Sequence, residues 1–130
     1  MTDDAGILQG LRILVVEDVV LVAELICDQL EECGCAIVGP VASLRPALLL
    51  ARDETLDGAI LDVHLDGELS FAVAAVLRER DIPFVFLTGY DDRNIFPPEY
   101  DQVPCLRKPI RGPELIAFLT GHLNTKPRRP

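Results

Sequence analysis

The run Gly58-Ala59-Ile60-Leu61-Asp62-Val63-His64 constrains the fold more than any other stretch, because it is short, apolar and broken by a single carboxylate. By pattern alone such a run reads as a strand buried on both faces or as a piece of buried helix. Leu56-Asp57-Gly58 before it and Asp66-Gly67 after it are turn punctuation, and they favour the strand. Strands with no polar side belong to parallel sheets covered by helices on both faces. In open sheets of that kind, reacting groups gather beyond the carboxyl ends of the strands, and Asp62 falls at such an end.

The rest of the chain repeats this unit. Residues 12–16 are an apolar, β-branched strand that stops at Glu17-Asp18. Residues 19–33 carry Leu21, Val22, Leu25, Ile26 and Leu30 at helical spacing, with Glu24, Asp28, Glu31 and Glu32 opposite and Gly34 as the stop. A second strand is expected over 36–39, then a helix over 44–52 capped by Ser43, with Pro46 in its first turn. After the central strand, 58–62, Ser70 caps a helix through Arg80 whose inner face is Phe71, Ala74, Ala75 and Leu77. Residues 84–87 form a fourth strand ending on Thr88-Gly89-Tyr90.

Residues 91–100 contain Asp91-Asp92-Arg93-Asn94 and Pro97-Pro98, with no apolar stripe, so any helix there is expected to be short or frayed. Residues 103–106 read as a fifth strand, which Pro104 places at a sheet edge and which runs into Lys108-Pro109. Gly112-Pro113-Glu114 starts the last helix, with Pro at its first position and Leu115, Ile116, Phe118 and Leu119 inside. His122 suits the carboxyl end of that helix. The expected division is a flexible leader over 1–10, one domain over 11–123 and a disordered tail over 124–130. Alternating strands and helices call for an α/β, flavodoxin-like, doubly wound (βα)5 parallel sheet of order 2-1-3-4-5. That order brings Glu17, Asp18, Asp62, Thr88 and Lys108 to one rim.

Composition narrows the function. A net charge of −9, with 12 Lys and Arg against 21 acids, argues against a nucleic-acid partner, which needs cations for phosphates. No apolar run approaches the ~20 residues of a membrane span, and no basic-then-apolar leader is present, so a cytoplasmic protein without membrane contact is expected. Cys27, Cys33, Cys35 and Cys105 lack a secretory context or a matching His pattern, and read as small apolar residues.

Three carboxylates on one rim repel one another and raise one another's pKa, which calls for a hard divalent cation with oxygen ligands; Mg²⁺ suits them. A carboxylate, a metal, a hydroxyl and an ammonium form a set suited to phosphoryl transfer, which is mainly positioning and charge neutralisation. Asp62 would attack phosphorus, Lys108 would neutralise charge and Thr88 would hydrogen-bond the transferred group.

In these motifs the chain resembles the response-regulator receiver domains of two-component signalling, over about residues 11 to 123. Glu17-Asp18, Asp62, Thr88 and Lys108-Pro109 follow the family's order and spacing. The resemblance implies that Asp62 takes a phosphoryl group from a phosphohistidine on a sensor histidine kinase, with Glu17, Asp18, Asp62 and the backbone carbonyl of His64 around Mg²⁺. It also implies that the Lys108-Pro109 bond is cis. Such a domain catalyses its own phosphoryl transfer and dephosphorylation without turning over an external substrate.

Cys105 stands where receivers usually carry Tyr or Phe, and Phe86-Leu87-Thr88-Gly89-Tyr90 is similar to the signature of the FAT GUY subgroup. Tyr90 is therefore expected to report phosphorylation, and the His64 side chain to face solvent and moderate water access. With seven residues after Leu123, a stand-alone receiver is expected, compatible with a homodimer through its last strand and helices. Its output would be phosphorylation-dependent contact with a downstream regulator. The alternative is a phosphate sink, or a shuttle to a histidine phosphotransfer protein. A metal-dependent phosphatase using Asp62 is a remoter reading, since Asp62-Val63-His64 lacks that class's second aspartate.

Overall fold

The computed structural model describes residues 8–89 and 95–123. Five strands form one parallel sheet: β1 (Arg12–Val16), β2 (Ala36–Val41), β3 (Gly58–Asp62), β6 (Phe84–Thr88) and β7 (Cys105–Arg107). The sheet runs β2-β1-β3-β6-β7, which among its own strands is the expected order 2-1-3-4-5. Among the described residues four helices flank it: α1 (Val20–Glu32), α2 (Leu44–Asp53), α3 (Phe71–Glu79) and α4 (Gly112–Phe118). A two-stranded antiparallel hairpin, β4 (His64–Leu65) with β5 (Glu68–Leu69), follows β3 directly and was not expected.

The alternation of side chains along each strand divides the core in two. Leu14, Val16, Ala59, Leu61, Phe84 and Phe86 face one way, onto Ala47 and Ala51 of α2 and Val73, Ala74 and Leu77 of α3. Ile13, Val15, Ile60, Val85 and Leu87 face the other way, onto Ile26 and Leu30 of α1 and Leu115 and Phe118 of α4. β3 is buried at every position, as its unbroken apolar run requires.

Several expectations shift by a residue or a face. Leu8 is fully buried and Gly10 N–H donates to the Gly34 carbonyl, so the packed body begins ahead of residue 11. On α1 the buried residues are Ala23, Ile26 and Leu30, while Leu21 and Leu25 face solvent, because the apolar stripe is wider than the surface the sheet covers. On α3 it is Val73, not Ala75, that packs inward. Ser43 and Ser70 occupy the N-cap positions, but neither hydroxyl makes a capping bond. The fifth main strand starts at Cys105, past Pro104, and lies at the sheet edge as expected. Pro113 takes the second helical position, and α4 ends at Phe118 in a π turn, Leu119–Leu123.

Between β6 and β7 the described residues hold one 3₁₀ turn, Pro98–Tyr100. Tyr90 lies outside the described residues. No disulfide joins the cysteines; Cys35 is buried and the other three are half-buried. Among the described residues no helix is long and apolar enough to cross a membrane.

Candidate functional site

Register brings the rim residues together. Val16 pairs with Leu61, so Glu17 and Asp18 leave β1 beside the end of β3. Asp62 pairs with Leu87, which places Thr88 one step beyond it on β6, and Thr88 pairs with Arg107, immediately before Lys108. The Lys108 N–H donates to the Thr88 carbonyl at 2.8 Å, and the Lys108-Pro109 bond is cis.

From there the Lys108 side chain crosses the ends of β6 and β3. Its Nζ lies 3.0 Å from Asp62 Oδ2 and 3.0 Å from Glu17 Oε1. The aligned hydrogen bond to Glu17 runs to Oε2, at 3.3 Å, and Oε2 also accepts the Val19 N–H at 3.0 Å. Oε1 is buried and receives no aligned donor despite its closeness to the ammonium. Asp18 Oδ2 accepts the Asp66 N–H at 3.0 Å, which ties the β4–β5 hairpin to the acidic pair. Sequence reasoning missed this group because a backbone amide has no side-chain signature; the Asp66-Gly67 turn was its only trace.

Glu17, Asp62 and Thr88 are buried polar residues, and that sets the electrostatics. Burial, then the Glu17 charge, push the Asp62 carboxyl up to about 7 against the pull of Lys108. Burial pulls Lys108 down, but its hydrogen bonds and charge interactions with Asp62 and Glu17 win and hold it above the ordinary lysine range. Burial raises Asp18, yet the Asp66 N–H and the hydrogen bonds with Asp62 and Glu17 outweigh it and hold that carboxyl below its usual value.

One ligand oxygen each from Glu17, Asp18 and Asp62 lies within 4.8 Å of the others. Two oxygens on one Mg²⁺ sit at most about 4.2 Å apart, twice the usual bond length of ~2.1 Å, so a small inward shift or an intervening water closes the set. The undonated Glu17 Oε1 and the all-oxygen donors fit a hard cation. His64 sits two residues past Asp62 with its side chain exposed, and it pairs with Leu69 in the hairpin.

Residues 13–120 match the family of response regulator receiver domains. The chain belongs to that family. Among solved structures, this receiver domain is similar to SdrG from Sphingomonas melonis Fr1, with 38% identity and a TM-score of 0.75 over 85% of this chain and 94% of SdrG. The response regulator PhyR from Brucella abortus shares the fold at 23% identity and a TM-score of 0.80, and the match covers 94% of this receiver but 51% of PhyR. The receiver domain of the sensor histidine kinase PA1611 from Pseudomonas aeruginosa PAO1, solved with magnesium coordinated in its active-site cleft, shares the fold at 22% identity and a TM-score of 0.78, over 88% and 98% of the two chains. No curated protein matches this receiver.

Proposed function

We propose that this domain accepts a phosphoryl group on Asp62 from the phosphohistidine of a sensor histidine kinase, and that its phosphorylated form signals by protein contact. The observation that carries the reading is the Lys108 ammonium, 3.0 Å from both Asp62 and Glu17 and inside the acidic cluster. A structural surface lysine has no reason to be drawn across two strand ends onto two buried carboxylates.

The chemistry follows from the groups present. A carboxylate oxygen of Asp62 bonds to phosphorus as the phosphorus–nitrogen bond of the donor breaks. The electron pair returns to the imidazole, which leaves neutral or takes a solvent proton. Lys108 stays charged throughout and offsets the negative charge gathering on the phosphoryl oxygens, while the Thr88 hydroxyl donates to one of them. Glu17, Asp18, Asp62 and the His64 carbonyl would hold Mg²⁺, which when bound supplies Lewis-acid neutralisation of the same oxygens. Loss of the group is attack by water on the acyl phosphate, and the exposed His64 side chain at the mouth moderates its entry.

The Phe86-to-Tyr90 motif supports placing the domain in the FAT GUY subgroup, with Tyr90 as the residue that reports phosphorylation. Tyr90→Ala is then expected to leave phosphorylation intact and abolish partner binding.

The test is incubation with acetyl phosphate and Mg²⁺, followed by mass measurement. Wild type should gain one phosphoryl group and Asp62→Asn none; a gain in both would overturn the assignment. A pull-down with the phosphorylated form then tells docking on a partner from drainage of a kinase.

A further inference from the structure

A groove of about 320 Å³ lies at the pole of the sheet opposite Asp62, between the start of β6, the residues that lead into β7 and the last turn of α4. Pro83, Phe84, Val103, Pro104 and Phe118 supply apolar wall, and Asp81 and Gln102 stand at its exposed edge. The β6–β7 ladder stops short here. Along it the Phe86 N–H donates to the Pro104 carbonyl at 3.2 Å, and the Lys108 N–H to the Thr88 carbonyl at 2.8 Å. Carried down to the groove, the same parallel pattern asks residue 104 to donate to the Phe84 carbonyl, but Pro104 has no N–H. The carbonyl of Phe84, a buried residue, is thus left without its ladder bond, and a buried carbonyl that lacks a donor is costly.

We propose that residues 124–130 of this chain dock along this groove, the Arg128-Arg129 pair donating to the Phe84 carbonyl and pairing with Asp81. Their sequence, Asn-Thr-Lys-Pro-Arg-Arg-Pro, holds three of the chain's 12 cations and none of its 21 acids. They are also within reach. α4 starts four residues past Lys108 and runs back to the groove at Phe118, and the π turn Leu119–Leu123 continues it. Five helical residues carry the chain only about 8 Å past Phe118, at ~1.5 Å each. Seven extended residues span about 23 Å, enough to turn back and cross the groove. One turn of helix, ~10 Å across and ~5 Å tall, would overfill that volume, whereas prolines favour an extended segment that needs no ladder donor. A guanidinium offers several N–H donors on an apolar stem, which matches a carbonyl and a carboxylate set among apolar walls. Arg78, also on the wall, is engaged elsewhere: Nη1 donates to the Glu99 carbonyl at 2.7 Å, and the guanidinium lies 4.8 Å from the centre of the Tyr100 ring. Docking of this kind requires no phosphoryl group on Asp62.

Amide and carbonyl NMR spectra of the full chain test this. Arg128→Gln combined with Arg129→Gln should move the Ile82, Gln102 and Val103 amide signals and shift the Phe84 carbonyl carbon upfield, as loss of a donor does, while signals around Asp62 stay in place. Asp81→Asn, which keeps a residue suited to the positive φ of 60° at that position, should move the same signals. In that background the arginine changes should have about half their effect or less, because the acid they pair with is gone. High salt should shrink the wild-type difference in the same way. Groove signals that ignore the arginine changes would overturn the docking, and an undiminished effect in Asp81→Asn would overturn the pairing. Signals that move with protein concentration would mean that the segment enters the groove of a second copy, which would overturn docking within one chain.

Discussion

Lys108 Nζ and Asp62 Oδ2 lie 3.0 Å apart across 46 positions of sequence, and no single element holds them there. Asp62 is placed by β3, Lys108 by β7, and β6 between them sets the spacing. Glu17, from the end of β1, shares the same ammonium. The ammonium thus stands where negative charge would accumulate on a group bonded to Asp62.

Lys108→Ala removes that charge and leaves two buried carboxylates facing each other. Phosphorylation by acetyl phosphate should slow by about 100-fold, the usual loss for one preorganised electrostatic partner. Single-turnover rates at saturating Mg²⁺ measure it. A rate within twofold of wild type would make the ion pair structural.

The raised Asp62 pKa gives a stability prediction with a definite sign. In the absence of divalent cations the folded state holds this proton up to about 7, the unfolded state only up to 3.8. Between those values the folded state binds more protons, so stability falls as pH rises, and the deficit is complete above pH 7. Lys108 is raised, so its contribution is present below its unfolded value near 10.5 and is lost only above it; it leaves this window flat. Asp62→Asn should therefore match wild type near pH 4 and exceed it at pH 8 by on the order of 1–2 kcal/mol after solvent screening. Denaturant melts in a chelator at the two pH values check this.

The sheet and the acids were readable in sequence for one reason. Strands buried on both faces must be unbroken apolar runs, so a charge ending such a run marks a strand end, and the rule for parallel sheets puts those ends on one rim. Asp62, Glu17-Asp18 and Lys108 were found that way. The β4–β5 hairpin was not, because strands of two residues carry no periodicity. Phe96 and Tyr100 were missed because Pro97-Pro98 removes any helical stripe, although both rings are core. Leu21 and Leu25 looked internal because periodicity shows which residues share a face and not how much of that face is covered.

Gly39 links the far edge of the sheet to the site. Its φ is +102°, and an added Cβ would lie 3.0 Å from both the Val15 carbonyl and the Val41 nitrogen, backbone atoms that cannot step aside. The Val41 carbonyl accepts the Glu17 N–H at 3.0 Å, so relief of the clash moves Glu17. Gly39→Ala should cost about 2–3 kcal/mol and slow phosphorylation several-fold. Urea melts and acetyl phosphate kinetics measure the two effects, and a neutral variant would count against the coupling.

Gly67 separates the hairpin's role from packing altogether. Asp66 and Gly67 both have positive φ, at 49° and 86°, as the two central residues of a type I′ turn require. A Cβ on Gly67 would meet nothing within 4 Å, so Gly67→Val acts through backbone conformation alone. The turn orients the Asp66 N–H that holds Asp18 Oδ2 and keeps that carboxyl charged. A distorted turn withdraws the donor, lets Asp18 swing and raises its pKa. Global stability should drop by only about 1 kcal/mol, while Mg²⁺ affinity falls about threefold to tenfold and more steeply at pH 5 than at pH 8. Mg²⁺ titrations followed by the shift in melting temperature read affinity directly, since a ligand bound only to the folded state stabilises in proportion to the logarithm of its occupancy ratio. Equal affinities at both pH values would mean that Asp18 is positioned by Asp62 and Glu17 without the hairpin.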